Sequence, residues 1–212
     1  MPPNPNIVAK LVPKTKVCQS VYEHVSSLLH PSILNHSLRV YAYATALASH
    51  SNSPYMLANK HDLLFTACLF HDIGTTSTYN GPQRFEIEGA DAAVQHLTQF
   101  NIGQQDKHDV WTAIAIHTSP QIAKRIGELA RLVRLAVITD FGRKSEAWDE
   151  LEPLKAGLES DLERGAIEKI LGDAVVGQAI KQPEKAPKVS WPGLMFEAHL
   201  AEPEWEGVNK AF

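Results

Sequence analysis

The sequence predicts an all-α fold: a helical bundle with a C-terminal helix and an extended tail. Apolar residues recur at steps of three and four over most of the chain between 17 and 181, the spacing that puts them on one face of a helix. No stretch alternates apolar and polar residues with period two over the length of a strand.

Taken in order, residues 1–16 carry Pro and Lys and are expected to be extended or poorly ordered. Helices are expected over 17–29 and 32–50. In the second, Ile33, His36, Val40, Tyr43 and Leu47 form one stripe, so the imidazole points inward. The next helix, 60–72, carries Leu64, Ala67 or Cys68, and His71 on one side, and Gly74 follows as its stop. Residues 75–87, around the Asn80-Gly81-Pro82 turn, form a connector long enough to serve as a lid or binding loop beside His71. Helices at 88–100 and 106–118 follow, the latter with Val110, Ala113, Ile114 and His117 on its inner face. A helix over 120–141 carries Leu129, Val133, Ala136 and Asp140 in the same way. The stretch 154–181, with Leu162, Ile167, Ile170, Leu171 and Val175, is expected to pack on the outside of the bundle. The Pro-rich start of 182–212 favours an extended tail. Trp191, Leu194, Met195, Phe196 and Trp205 are too many large apolar groups to leave in water, so this tail should wrap the bundle or a partner subunit. The domain plan is therefore an N-terminal segment 1–16, a bundle 17–181 and a tail 182–212.

At 212 residues the chain has room for one full core plus that tail. A net charge of -4 gives no electrostatic case for nucleic acid or an anionic membrane. Cys18 and Cys68 have no close cysteine neighbour, so neither a disulfide framework nor a thiolate knuckle is expected. The apolar run 63–70 is too short to span a bilayer, and 1–5 lacks a signal core; a cytoplasmic location is the expectation.

The residues that break the apolar pattern carry the chemistry. His71-Asp72 alone means little, because His61-Asp62 and His108-Asp109 repeat the doublet. Its company matters more. His36, His117 and Asp140 are each polar where the local stripe asks for an apolar residue, so four helices deliver metal-type ligands to one interior. A lone inward histidine is usually bonded to a backbone carbonyl, and a lone Asp140 fits a helix-end salt bridge equally well. Arg134, six residues earlier, is a poor local partner for that aspartate. One cation bound by His36, His71, Asp72 and Asp140 satisfies all four groups at once. Two imidazoles and two carboxylates suit zinc, iron or manganese.

In that order on consecutive helices, His36, His71-Asp72 and Asp140 resemble the HD-domain superfamily of metal-dependent helical proteins over about 32–141. Within it, His71-Asp72-Ile73-Gly74-Thr75-Thr76 and the run from Arg84-Phe85-Glu86-Ile87 to Asp91-Ala92-Ala93 closely resemble the fungal cyanamide hydratases. The resemblance implies that His36, His71, Asp72 and Asp140 hold one Zn2+, and that the chain is a hydro-lyase turning cyanamide into urea as a homodimer.

Bound water on such a metal has its pKa lowered from about 15.7 towards 7, and the zinc-bound hydroxide is expected to attack the nitrile carbon. His117, inward but not needed as a ligand, is the expected proton donor, and Asp72 orients the attacking water. Thr75, Thr76 and Thr118 are candidates to bind the amine end of the substrate, against the commoner role of hydroxyls as backbone caps. A phosphate ester needs cations at the reacting centre. Only Arg39, Arg84 and Lys60 stand near the ligands, which favours a small neutral nitrile. The alternatives are an HD-type phosphohydrolase that draws Arg125, Arg131 or Arg134 into the site, and a regulatory metal protein without turnover.

Overall fold

The computed structural model describes residues 1–144 and 147–212, and every regular element among the described residues is helical. Helix α1 (Pro5–Leu11) forms where an extended segment was expected. Pro5 fits its first turn and the Asn4 side chain accepts from Asn6 N, which satisfies a donor the helix cannot. Helix α2 (Lys16–Leu28) starts at the Thr15 cap and buries Val17, Cys18, Val21 and Val25.

At the centre lies α3 (Pro31–His50). It is buried nearly all round, as a helix must be when other elements cover both its sides. It packs against α4 (Ala58–Phe70) on one side and α7 (Glu128–Asp140) on another. Helix α4 also meets α2 and α6 (Gln104–Ala115), and α5 (Phe85–Leu97) lies along α6. These five layers of contact put the ends of α4, α6 and α7 together beside the first turns of α3.

Three boundaries differ from the sequence reading, each for a local reason. A helix was expected from 120, but α7 begins at 128 and residues 116–127 form turns. Gln121 takes a positive φ of 65°, and Ile122 and Ile126, whose spacing imitates a buried face, are exposed. The stretch 154–181 is two helices, α8 (Trp148–Asp161) and α9 (Ile167–Lys181), because Gly165 at φ 55° turns the chain between them. The tail is not extended throughout: Ser190 caps α10 (Trp191–Ala201), which packs on α9.

Residues 73–84 are compact too, with single 3-10 turns at Ile73–Thr75 and Ser77–Tyr79. Gly74 lets this segment press against the start of α5; a Cβ there would stand 2.0 Å from the Phe85 carbonyl oxygen. Gln178 of α9 donates to the Gly74 carbonyl at 2.9 Å and fixes the turn from the other side. No helix among the described residues is long and apolar enough to cross a membrane.

Candidate metal centre

His36 sits in the second turn of α3, and His71 and Asp72 follow directly on α4. His71 keeps helical dihedrals as the cap, whereas Asp72, at φ -108° and ψ 4°, leaves the helix and turns its carboxylate to the same side. His117 lies two residues past the end of α6, and Asp140 is the last residue of α7. All five are buried.

His36, His71 and Asp72 each offer one ligand atom, and these atoms lie within 4.8 Å of one another. The Nε2 atoms of His36 and His71 are 3.1 Å apart, and Asp72 Oδ2 is 3.1 Å from His71 Nε2 and 3.6 Å from His36 Nε2. The opposite ring nitrogens determine what those atoms carry. His71 Nδ1 is 2.7 Å from the Cys68 carbonyl and His117 Nδ1 is 2.7 Å from that of Ile114, so both Nδ1 atoms hold the proton. His36 Nδ1 donates to Asp140 Oδ2 at 2.7 Å. In their neutral form the rings each turn an Nε2 lone pair inward, and those of His36 and His71 then face each other across 3.1 Å.

In that form the arrangement is repulsive unless a proton or a metal ion lies between the rings. Asp72 adds to the demand, because neither of its buried carboxylate oxygens has a hydrogen-bond donor. Burial pulls the His71 pKa down, but Asp72, the Cys68 carbonyl and Asp140 together leave a net rise; burial lowers that of His36 despite the pull of Asp140. Burial would raise the Asp72 pKa, yet His71 and His117 hold it well below the usual carboxylate range. The donor set fits a divalent ion held by His36 Nε2, His71 Nε2 and Asp72.

Asp140, expected among the ligands, is engaged by Arg39 and His36 in this structure and lies outside the His36, His71 and Asp72 cluster. Arg39 Nε donates to its Oδ1 at 2.7 Å, the other guanidinium end reaches Oδ2 at 2.9 Å, and His36 Nδ1 shares Oδ2. Arg39 is itself fully buried and gives its remaining arm to the Leu162 carbonyl. Its spacing is a sign available in the sequence: it lies one turn after His36 and shares that buried side of α3.

A cavity of about 570 Å³ opens from the cluster. His36, His71, Asp72, His117 and Thr118 line one end, and Val137, Ile138, Phe141, Leu171, Trp191 and Leu194 are among the apolar walls. His117 Nε2 is 3.6 Å from Asp72 Oδ1. Of the three threonines expected to bind substrate, only Thr118 lines this cavity. The Thr75 and Thr76 hydroxyls donate to the carbonyls of Asp72 and Ile73, both at 2.7 Å, and act as local caps.

The expected cations are already occupied. Arg39 is on Asp140, Lys60 pairs with Asp106 on α6, and Arg84 is bound to Glu86 by two hydrogen bonds of 3.0 and 2.7 Å. Glu86 was missed from sequence: a fully buried carboxylate that also accepts the Thr118 hydroxyl at 2.7 Å. Arg134 lines the cavity, donates to the His117 carbonyl at 2.9 Å and leaves its Nε without a partner. Burial, with a smaller push from Arg143, lowers its pKa to about 10.

A family model described as HD domain matches residues 33–141 of this chain. Two proteins of Saccharomyces cerevisiae, cyanamide hydratase DDI2 and cyanamide hydratase DDI3, are each 28% identical to it over 131 residues. The match covers 60% of this chain and 57% of each relative, so it spans little more than half the length of those curated proteins.

Proposed function

This chain belongs to the HD-domain family, and from that premise we propose that it is a metal-dependent hydro-lyase that adds water across the C≡N bond of cyanamide to give urea. The two yeast relatives bear the name of that activity. One structural observation carries the reading: at the metal cluster the cations are already spent on buried carboxylates, Arg39 on Asp140 and Arg84 on Glu86. What remains at the reacting end is imidazole, one aspartate and a hydroxyl, a lining suited to a small uncharged substrate.

The ion we propose is Zn2+, with Fe2+ or Mn2+ as alternatives of the same donor preference. Bound by His36, His71 and Asp72, it supplies a Lewis acid that makes water nucleophilic at neutral pH. The protein then manages the protons. His117 keeps its Nδ1 proton on the Ile114 carbonyl and presents Nε2 to the site, where it takes a proton from the attacking water and passes it to the nitrile nitrogen. Asp72 Oδ1 stabilises the charged imidazole from 3.6 Å. The C–O bond forms as one π bond opens onto the nitrile nitrogen, which takes that proton; a second proton moves from oxygen to the same nitrogen and leaves urea.

Arg134 supports a second reading. Its partnerless Nε, with Arg143 and Lys188 among the lining residues, places positive charge on the cavity wall, which suits a phosphate ester. Assaying the purified, metal-analysed protein for urea from cyanamide and for inorganic phosphate from nucleoside monophosphates separates the two. Urea with stoichiometric metal is the expected result; phosphate release without urea overturns the hydratase reading.

A further inference from the structure

Glu86 is the second residue of α5, and its side chain is fully buried. It accepts both donors of the Arg84 fork and the Thr118 hydroxyl, all within 3.0 Å. An ionised carboxylate has no proton to give, so Thr118 must be the donor in that contact. Its Oγ1 then has only lone pairs left for anything else. The Arg84 NH2 group approaches one of them weakly, at 3.4 Å. The other has no partner among the hydrogen bonds of this side chain, and Thr118 lines the cavity next to His117.

We propose that Glu86, with Arg84, fixes Thr118 as a hydrogen-bond acceptor, and that the site thereby selects nitriles carrying an N–H on the atom bonded to the nitrile carbon. Glu86 and Arg84 are positioning residues, while Thr118 touches the substrate. The proposal rests on the hydratase reading and narrows it to a substrate class: cyanamide and its monosubstituted derivatives, which give urea and monosubstituted ureas. An alkyl nitrile, or a cyanamide with both N–H groups replaced, leaves the Thr118 lone pair facing an apolar group. A site built around a donor rejects the analogue that lacks it more strongly than it rejects a change of size. Size is not limiting, since the cavity of about 570 Å³ has ample room for methyl groups.

The test is kcat and KM for cyanamide, N-methylcyanamide and N,N-dimethylcyanamide with the metal-loaded full chain. In the unsubstituted protein the first two should be comparable and the third at least about tenfold poorer, the order expected for one neutral hydrogen bond with its partner left unpaired. Thr118→Val should abolish that step by lowering kcat/KM for the two N–H substrates while sparing the third. Thr118→Ser should restore the step. Glu86→Gln should narrow it, because an amide can donate to Oγ1 and release the hydroxyl proton towards the cavity. A smooth decline with size in the unsubstituted protein overturns the proposal, as does a Thr118→Val variant that slows all three substrates equally. If cyanamide itself is not hydrated, the hydratase reading has failed and the selection proposal falls with it.

Discussion

His36 and Asp140 share a hydrogen bond of 2.7 Å in the interior of the bundle, with neither side chain exposed. Because the aspartate takes Nδ1, the imidazole has one free nitrogen, and that nitrogen is the one facing His71 and Asp72. A carboxylate that holds a ligating histidine in this way sets its tautomer and raises its basicity.

Asp140→Asn should therefore weaken metal binding by about 10–100-fold without removing it, the range usual for an outer partner of a ligating histidine. Competition with a graded chelator measures the change. If the variant holds no metal at any concentration, Asp140 is itself a ligand and moves from Arg39 to the ion when the metal binds.

Arg39 is the reason Asp140 can remain charged where it is. Burial would raise the Asp140 pKa, but hydrogen bonds from Arg39 and His36 hold it far below the usual carboxylate range. Arg39→Met fills similar volume and leaves the aspartate with one partner fewer, so the metal-free protein should lose about 3–5 kcal/mol of stability. Denaturant unfolding reads this directly. Arg39→Met combined with Asp140→Asn should be clearly more stable than the sum of the two single losses, since the stranded charge is then gone. Additive losses would show that the pair is not energetically coupled.

Ligand and proton-transfer roles separate by what each variant retains. His71→Ala or Asp72→Ala should lose bound metal and turnover together, measured by elemental analysis and urea release on one sample. His117→Ala should keep the metal and lose about 10²–10⁴-fold in turnover, the usual contribution of a positioned acid–base group. Metal loss in His117→Ala would instead place its Nε2 in the coordination shell.

Periodicity was enough to read the helices that form the centre, because α3, α4, α6 and α7 bury the stripes on which His36, His71, His117 and Asp140 interrupt an apolar pattern. It failed where the pattern was imitated without burial: Ile122 and Ile126 have helical spacing but lie exposed in turns. It also failed at α10, where a Pro-rich approach hid a Ser190 cap. The outer partners were legible only in part. Arg39 could be placed beside His36 by its spacing, but its pairing with Asp140, 101 positions away, and that of Glu86 with Thr118, 32 positions away, lie in no local window.

A last prediction concerns acid. His24 and His96 face each other at 5.2 Å on the flank of the bundle, with His24 Nε2 bonded to the Tyr79 hydroxyl at 2.6 Å and His96 Nε2 to that of Ser20 at 3.1 Å. Burial lowers the pKa of both, and for His96 the neighbouring His24 lowers it further. The unfolded chain, with histidines near 6.5, then binds protons more readily than the fold does. Stability from this pair is complete above about pH 6.5 and declines as pH falls through the lowered folded values. Melting temperature followed from pH 7.5 to 5.0 should drop more steeply for the unsubstituted chain than for a His24→Gln/His96→Gln variant. Comparing the two slopes isolates the pair from acid release of the metal, which both proteins share; equal slopes would mean that the two rings protonate freely in the folded state.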